Sequence, residues 1–129
     1  VVADVIVRSG NLVINKMTIA VDCGRVINPS GASNQIIGGI VWSLTALLYG
    51  GYPIKNGKAV HTNFHQNKLL RMNECPPMEV HFVDSKDEKP WGIGEISSPL
   101  GVPAVLNAIF AATGKRIRKV PLLTDSLSA

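Results

Sequence analysis

Between residues 30 and 49 the chain carries one apolar face at helical spacing. Ile36, Ile37, Ile40, Val41, Leu44, Leu47 and Leu48 recur with the 3.6-residue period. The same stretch sets its own limits. Asn28-Pro29 offers an N-cap followed by proline at the first helical position, and Gly50-Gly51 stops the run. A helix over Ser30 to Tyr49 is the fixed point around which the rest of the chain has to be arranged. Gly38 and Gly39 weaken it, each costing about 1 kcal/mol relative to alanine. A glycine pair inside a helix serves either tight packing or the close approach of another group to the backbone. The apolar stretch Ile36 to Leu48 contains Ser43 and Thr45 and is too short to span a bilayer.

Strand signals lie on both sides of this helix. Asp4–Arg8 and Leu12–Val21 are β-branched and extended, with Ser9-Gly10-Asn11 as the turn between them, so a hairpin opens the chain. Asp22-Cys23-Gly24-Arg25 breaks the second strand. Asn56-Gly57, between Pro53-Ile54-Lys55 and Lys58-Ala59-Val60, is a two-residue hairpin signal. His61 to Pro77 is polar and poorly periodic, a long loop of the kind that often carries function. Met78 to Val83 alternates again, Ser85 to Pro90 reads as a charged turn, and Ser98-Pro99 as a turn or N-cap. A second helix is predicted over Pro103 to Thr113, apolar through Val105, Ile109 and Ala112 and stopped by Gly114. The order gives an α+β fold, a mixed sheet with two main helices, in one domain spanning residues 1–129.

With 129 residues, 46% hydrophobic and only 17% charged, the chain suits one packed domain and excludes charge-driven disorder. The low share of charge predicts that another chain covers part of its surface, and that the chain alone self-associates. The net charge is +4. Lys115, Arg116, Arg118 and Lys119 follow a helix, where cations complement the C-terminal dipole, and no aromatic residues interleave them. Nucleic-acid binding is therefore not expected. Two cysteines, Cys23 and Cys75, are too few for an iron–sulfur cluster, lack zinc spacing, and are read as reduced thiols. His61 and His65 stand four apart, but Thr62-Asn63-Phe64 between them is not helical and no third ligand follows, so no protein-ligated metal is expected.

Gly92-Ile93-Gly94-Glu95 is more specific. Glycines flanking Ile93 let backbone approach a bound group and place a carboxylate ahead of a predicted helix start, where its charged form is favoured. It is not a dinucleotide fingerprint, since the third glycine and the βαβ context are missing. Gln35, beside the glycine pair, can donate to and accept from a polar heterocycle. Taken singly, Glu95 reads first as a solvated glutamate on a glycine-rich connection, and Gln35 either binds a heterocycle or simply faces water.

Three stretches together resemble the C-terminal part of the molybdenum-binding subunit of the xanthine dehydrogenase and aldehyde oxidoreductase family. They are Val21-Asp22-Cys23-Gly24-Arg25-Val26-Ile27-Asn28-Pro29 with Gln35 and Gly38-Gly39; Gly92-Ile93-Gly94-Glu95; and Ala108-Ile109-Phe110-Ala111-Ala112-Thr113-Gly114-Lys115-Arg116-Ile117-Arg118. The last, with Asn63-Phe64-His65 and Leu69-Leu70-Arg71-Met72-Asn73-Glu74, is most similar to the isoquinoline 1-oxidoreductase β-subunit branch. The resemblance covers residues 12 to 123. The chain departs from the family's usual Gly-Glu-Pro-Gly-x-Pro-Pro, reading Glu95-Ile96-Ser97-Ser98-Pro99 instead.

The resemblance implies a molybdopterin-binding domain at the C-terminal end of a much longer subunit. Its cofactor would be a molybdenum–pterin, either molybdopterin or its cytosine dinucleotide, whose metal takes no protein side chain as ligand. Glu95 matches the general base, and Gln35, Gly94, Gly38 and Gly39 match positions against the cofactor. The implied partners are the remainder of the molybdenum subunit, an iron–sulfur subunit or domain, and an aldehyde or N-heterocycle as substrate. Cytoplasm and periplasm are equally compatible with the sequence. A reading from another class stands beside this one: a non-catalytic assembly module that binds a partner through its apolar faces.

Overall fold

The computed structural model describes residues 1–84, 86–122 and Leu127. Strands β1 (Val2–Arg8) and β2 (Asn11–Val21) form the expected antiparallel hairpin. Ser9 and Gly10 both have positive φ, 48° and 78°, as a tight two-residue connection requires. The pairing slips once: Asp4 faces Lys16 while Val5 faces Ile14, which leaves Asn15 as a bulge. Its amide reaches Asp4 Oδ1 at 3.4 Å. The slip changes the inward parity, so that Leu12 and Ile14 turn in before it and Met17, Ile19 and Val21 after it.

Helix α1 (Pro29–Tyr49) follows, with the Asn28 side chain accepting from Gly31 N–H at 3.0 Å. It is unbroken through Gly38 and Gly39. A small exposed hairpin, β3 (Ile54–Lys55) and β4 (Lys58–Ala59), turns at Asn56-Gly57, both with positive φ. The long loop contains two single 3₁₀ turns, Phe64–Gln66 and Met72–Glu74. Strand β5 (Met78–Phe82) then pairs parallel to β2, from Met17 opposite Met78 to Val21 opposite Phe82. The sheet order is β1-β2-β5, and the α1 crossover makes its parallel pair reachable. Ser85, the first residue of the predicted charged turn, lies outside the described residues.

Helix α2 (Gly101–Thr113) packs over β1 and touches α1, which packs over β5. One core results: Met17, Ile19 and Val21 from the sheet, Ile36, Ile40, Leu44 and Leu47 from α1, and Val105 and Ile109 from α2. Each fully buried Ile or Leu contributes roughly 1.5–3 kcal/mol. Two expectations for α2 need correction. It starts at Gly101 rather than Pro103, while Ser98-Pro99, expected as a turn or N-cap, is a turn. The inward stripe is Gly101, Val105 and Ile109, spaced by four, while Ala112 is exposed near the end of the helix. Gly114 closes α2 in the left-handed conformation, as predicted. Beyond it, Arg116 turns back to Asn107 Oδ1 at 2.7 Å and lies 3.7 Å from the centre of the Phe110 ring.

Candidate functional site

The segment from Lys89 to Val102, which contains Glu95, is held at both ends by elements that the sequence motifs build. At its entry stands the break after β2. Gly24 has φ +66°, and a Cβ there would fall 2.0 Å from the Lys89 carbonyl oxygen, so only glycine fits. Trp91 N–H donates to the Cys23 carbonyl at 2.9 Å and Arg25 N–H to the Lys89 carbonyl at 3.3 Å. Asp22 Oδ1 accepts from Gly24 N–H at 3.3 Å, shaping the same turn. The Asp22–Arg25 stretch is thus the seat for the segment entering Gly92-Ile93-Gly94-Glu95.

The exit of the segment lies along one stripe of α1. Gln35 Nε2 donates to the Gly94 carbonyl at 2.7 Å, bridging 59 positions. One helical turn on, Gly39 is buried: a Cβ there would meet Ser97 Oγ at 2.1 Å, Ser98 Oγ at 3.1 Å and Ser98 N at 3.2 Å. One turn further, Ser43 Oγ accepts from Val102 N–H at 2.9 Å, again across 59 positions. The eight residues from Gly94 to Val102 therefore follow the same stripe as the eight from Gln35 to Ser43, about 12 Å at helical rise. The Ser97 hydroxyl is buried and has no hydrogen-bond partner among the described residues. Such a group typically costs about 1–3 kcal/mol.

Glu95 stands in the turn at the open end of this stripe. It is exposed, and its carbonyl accepts from Ser98 N–H at 3.1 Å. The expected help from a helix N-terminus does not materialise, because α2 begins only at Gly101 and a helix dipole acts within about the first turn. Gly94 is exposed, with nothing within 4 Å of where a Cβ would stand. Gly38 is equally open and borders a groove of about 290 Å³ with Val41, Trp42, Thr45, Leu69 and Leu70.

The histidines play no part in this cluster. His61 Nδ1 lies 3.1 Å from Asn67 Oδ1 and its ring meets Tyr52 edge-on, while His65 is exposed on a 3₁₀ turn. Among the described residues no three His, Cys, Asp or Glu side chains converge as a metal site. Nor is any helix among them long and apolar enough to cross a membrane. Cys23 and Cys75 are free thiols. Sequence reasoning missed Ser43 and Ser97, which read there as polar residues of no particular place. The available signal was the four-residue spacing of Gln35, Gly39 and Ser43 on one helix face.

The fold is an α+β domain, a mixed three-stranded sheet packed against two helices. Residues 1–76 match the molybdopterin cofactor-binding domain, so Gln35, Gly38 and Gly39 fall inside the matched region and Glu95 beyond it. The chain belongs to this family, that of the molybdenum-binding subunits of aldehyde oxidoreductases and xanthine dehydrogenases. It is 39% identical over 88% of its length to the membrane-bound aldehyde dehydrogenase (pyrroloquinoline-quinone) of Gluconacetobacter polyoxogenes, and covers 15% of that protein. It is 33% identical over 89% of its length to the β subunit of isoquinoline 1-oxidoreductase from Brevundimonas diminuta, again covering 15%. The fold matches quinoline 2-oxidoreductase from Pseudomonas putida 86 with a TM-score of 0.80 at 21% identity, over 90% of this chain and 16% of that one. The chain therefore spans about one seventh of the length of these relatives.

Proposed function

We propose that this chain is the C-terminal, cofactor-facing part of the molybdenum subunit of a hydroxylase that oxidises an aldehyde or an N-heterocycle, with water as the oxygen source. The observation that carries this reading is the 2.7 Å hydrogen bond from Gln35 to the Gly94 carbonyl, which joins the two cofactor-related motifs and sets Glu95 beside them. The residues suit a pterin. Gln35 is exposed, and apart from its bond to Gly94 its amide has no partner among the described residues, leaving donor and acceptor capacity for a heterocycle. Gly94 and Gly38 leave backbone open to close approach. Gly39 enters as a packing position, its helix face filled by Ser97 and Ser98.

The molybdenum–pterin group, as molybdopterin or its cytosine dinucleotide, would supply a two-electron acceptor when bound. Glu95 would act as general base, its carboxylate taking the proton released by the water whose oxygen is added to the electron-poor carbon. Iron–sulfur centres on a partner chain or domain would be the outlet for the two electrons. The relatives' names include both an aldehyde and a heterocycle as substrate, and both classes present such a carbon.

A specific observation favours the second reading, an assembly module: Trp42 is 70% exposed beside an apolar groove on α1. Metal and pterin analysis of the complex purified from its native source separates the two. Molybdenum and pterin in stoichiometric ratio to the chain are expected; a complex that contains the chain and neither of them contradicts the enzyme reading.

A further inference from the structure

Two serine–glycine contacts join α1 to the segment after Glu95, and they are reciprocal. Ser97 of the loop seats on Gly39 of α1, and Ser43 of α1 seats on Gly101, the first residue of α2, where a Cβ would meet Ser43 Oγ at 2.6 Å and Ser43 Cβ at 2.7 Å. Ser97 is 2% exposed and Ser43 4% exposed, and Gly39 and Gly101 are both buried. The Gln35–Gly94 and Ser43–Val102 hydrogen bonds fix the register of the seam at either end. The Ser97 hydroxyl occupies the notch without a hydrogen-bond partner among the described residues, so its fit there is one of shape.

We infer that this reciprocal seam is the device that positions Glu95, with Gly39 and Ser97 as positioning residues whose sizes set how far the carboxylate stands from α1. The inference rests on the proposal that Glu95 is the general base. Glu95 itself is exposed and has no side-chain partner among the described residues, so its placement is inherited from the backbone of residues 94–98. Adding one methyl group at Gly39 drives into Ser97 Oγ and tightens against Ser98 N, which is backbone and moves only with the loop.

The test uses the assembled, cofactor-loaded enzyme. Gly39→Ala is expected to lower kcat at least tenfold, with KM and molybdenum content unchanged, and to speed amide hydrogen exchange across residues 94–102. Adding Ser97→Gly to it removes the atom in the way, and is expected to recover most of the lost kcat and the exchange protection. If Gly39→Ala does not accumulate, Ser97→Thr crowds the same notch from the loop side, and the same fall in kcat is expected. Wild-type kcat in loaded Gly39→Ala, or no recovery in the double variant, overturns the inference. An inactive Glu95→Gln beside a fully active Gly39→Ala removes this inference alone. An active Glu95→Gln removes the general-base reading on which it stands.

Discussion

Glu74 gathers three donors at the second 3₁₀ turn of the long loop. Lys68 Nζ reaches its Oε1 at 2.8 Å, Tyr49 Oη donates to the same oxygen at 2.7 Å, and Arg71 N–H donates to Oε2 at 2.9 Å. Lys68 foremost, then Tyr49 and the Arg71 backbone, pull the carboxyl from an ordinary 4.5 down to about 2. Because the folded value is depressed, the tie is complete above about pH 4.5 and is lost as pH falls toward about 2. The site is partly solvated, so its contribution to global stability is small. An NMR titration of the Glu74 side-chain carboxyl is expected to show a midpoint well below 4.5, and Lys68→Met to raise it; a midpoint at the ordinary value in the wild-type chain contradicts the arrangement. At this scale the sequence was legible where chemistry is local. Asn28 capping α1, the Asn56-Gly57 turn and Gly114 closing α2 all follow from what those residues do to their own backbone. Asn15 was not legible as a bulge, because an unpaired residue is defined by its partner strand and Asn15 itself is an ordinary polar residue in mid-strand.

The two helices depend on one another through a cap that neither sequence motif announces. Leu100, at the N-cap of α2, provides no side-chain hydrogen bond, and Ser43 of α1 accepts from Val102 N–H in its place. This borrowed acceptor explains why α2 begins at Gly101, ahead of Pro103: the ring needs no acceptor, and the N–H before it already has one. Ser43→Ala is expected to leave that N–H unpaired in a part-buried site and to destabilise the chain by about 1–3 kcal/mol. Denaturant unfolding reads this directly, and an unchanged midpoint would show that Ser43 is not the cap. The elements themselves were largely legible, since hydrophobic period and turn residues define them. The parallel β2–β5 pairing and the Gln35–Gly94 bridge were not, because both join positions more than fifty residues apart and no local signal encodes such a meeting.

Taken whole, the molecule has one core and a great deal of apolar surface outside it. Ile27, Trp42, Phe64 and Met72 are 79%, 70%, 94% and 93% exposed, and the β3–β4 hairpin lies on the surface throughout. A surface of this kind favours burial against other protein. Sedimentation velocity on the chain alone is expected to show concentration-dependent species larger than a monomer, reduced by Trp42→Glu; a strict monomer over the whole range contradicts it. The same openness bears on the site. Glu95, Gln35 and Gly94 are exposed, and the segment that carries Glu95 is held at Gly24, Gly39 and Ser43, so on the proposed function a cofactor would meet residues already fixed in place. Turnover of the assembled enzyme carrying Glu95→Gln, measured alongside its molybdenum content, bears on this most directly. Glutamine keeps the size and hydrogen-bonding capacity of the side chain and removes the proton acceptor, so kcat is expected to fall by about 10²–10⁴-fold with the metal fully retained. Wild-type turnover in a fully loaded Glu95→Gln enzyme would contradict the assignment of Glu95 as the base.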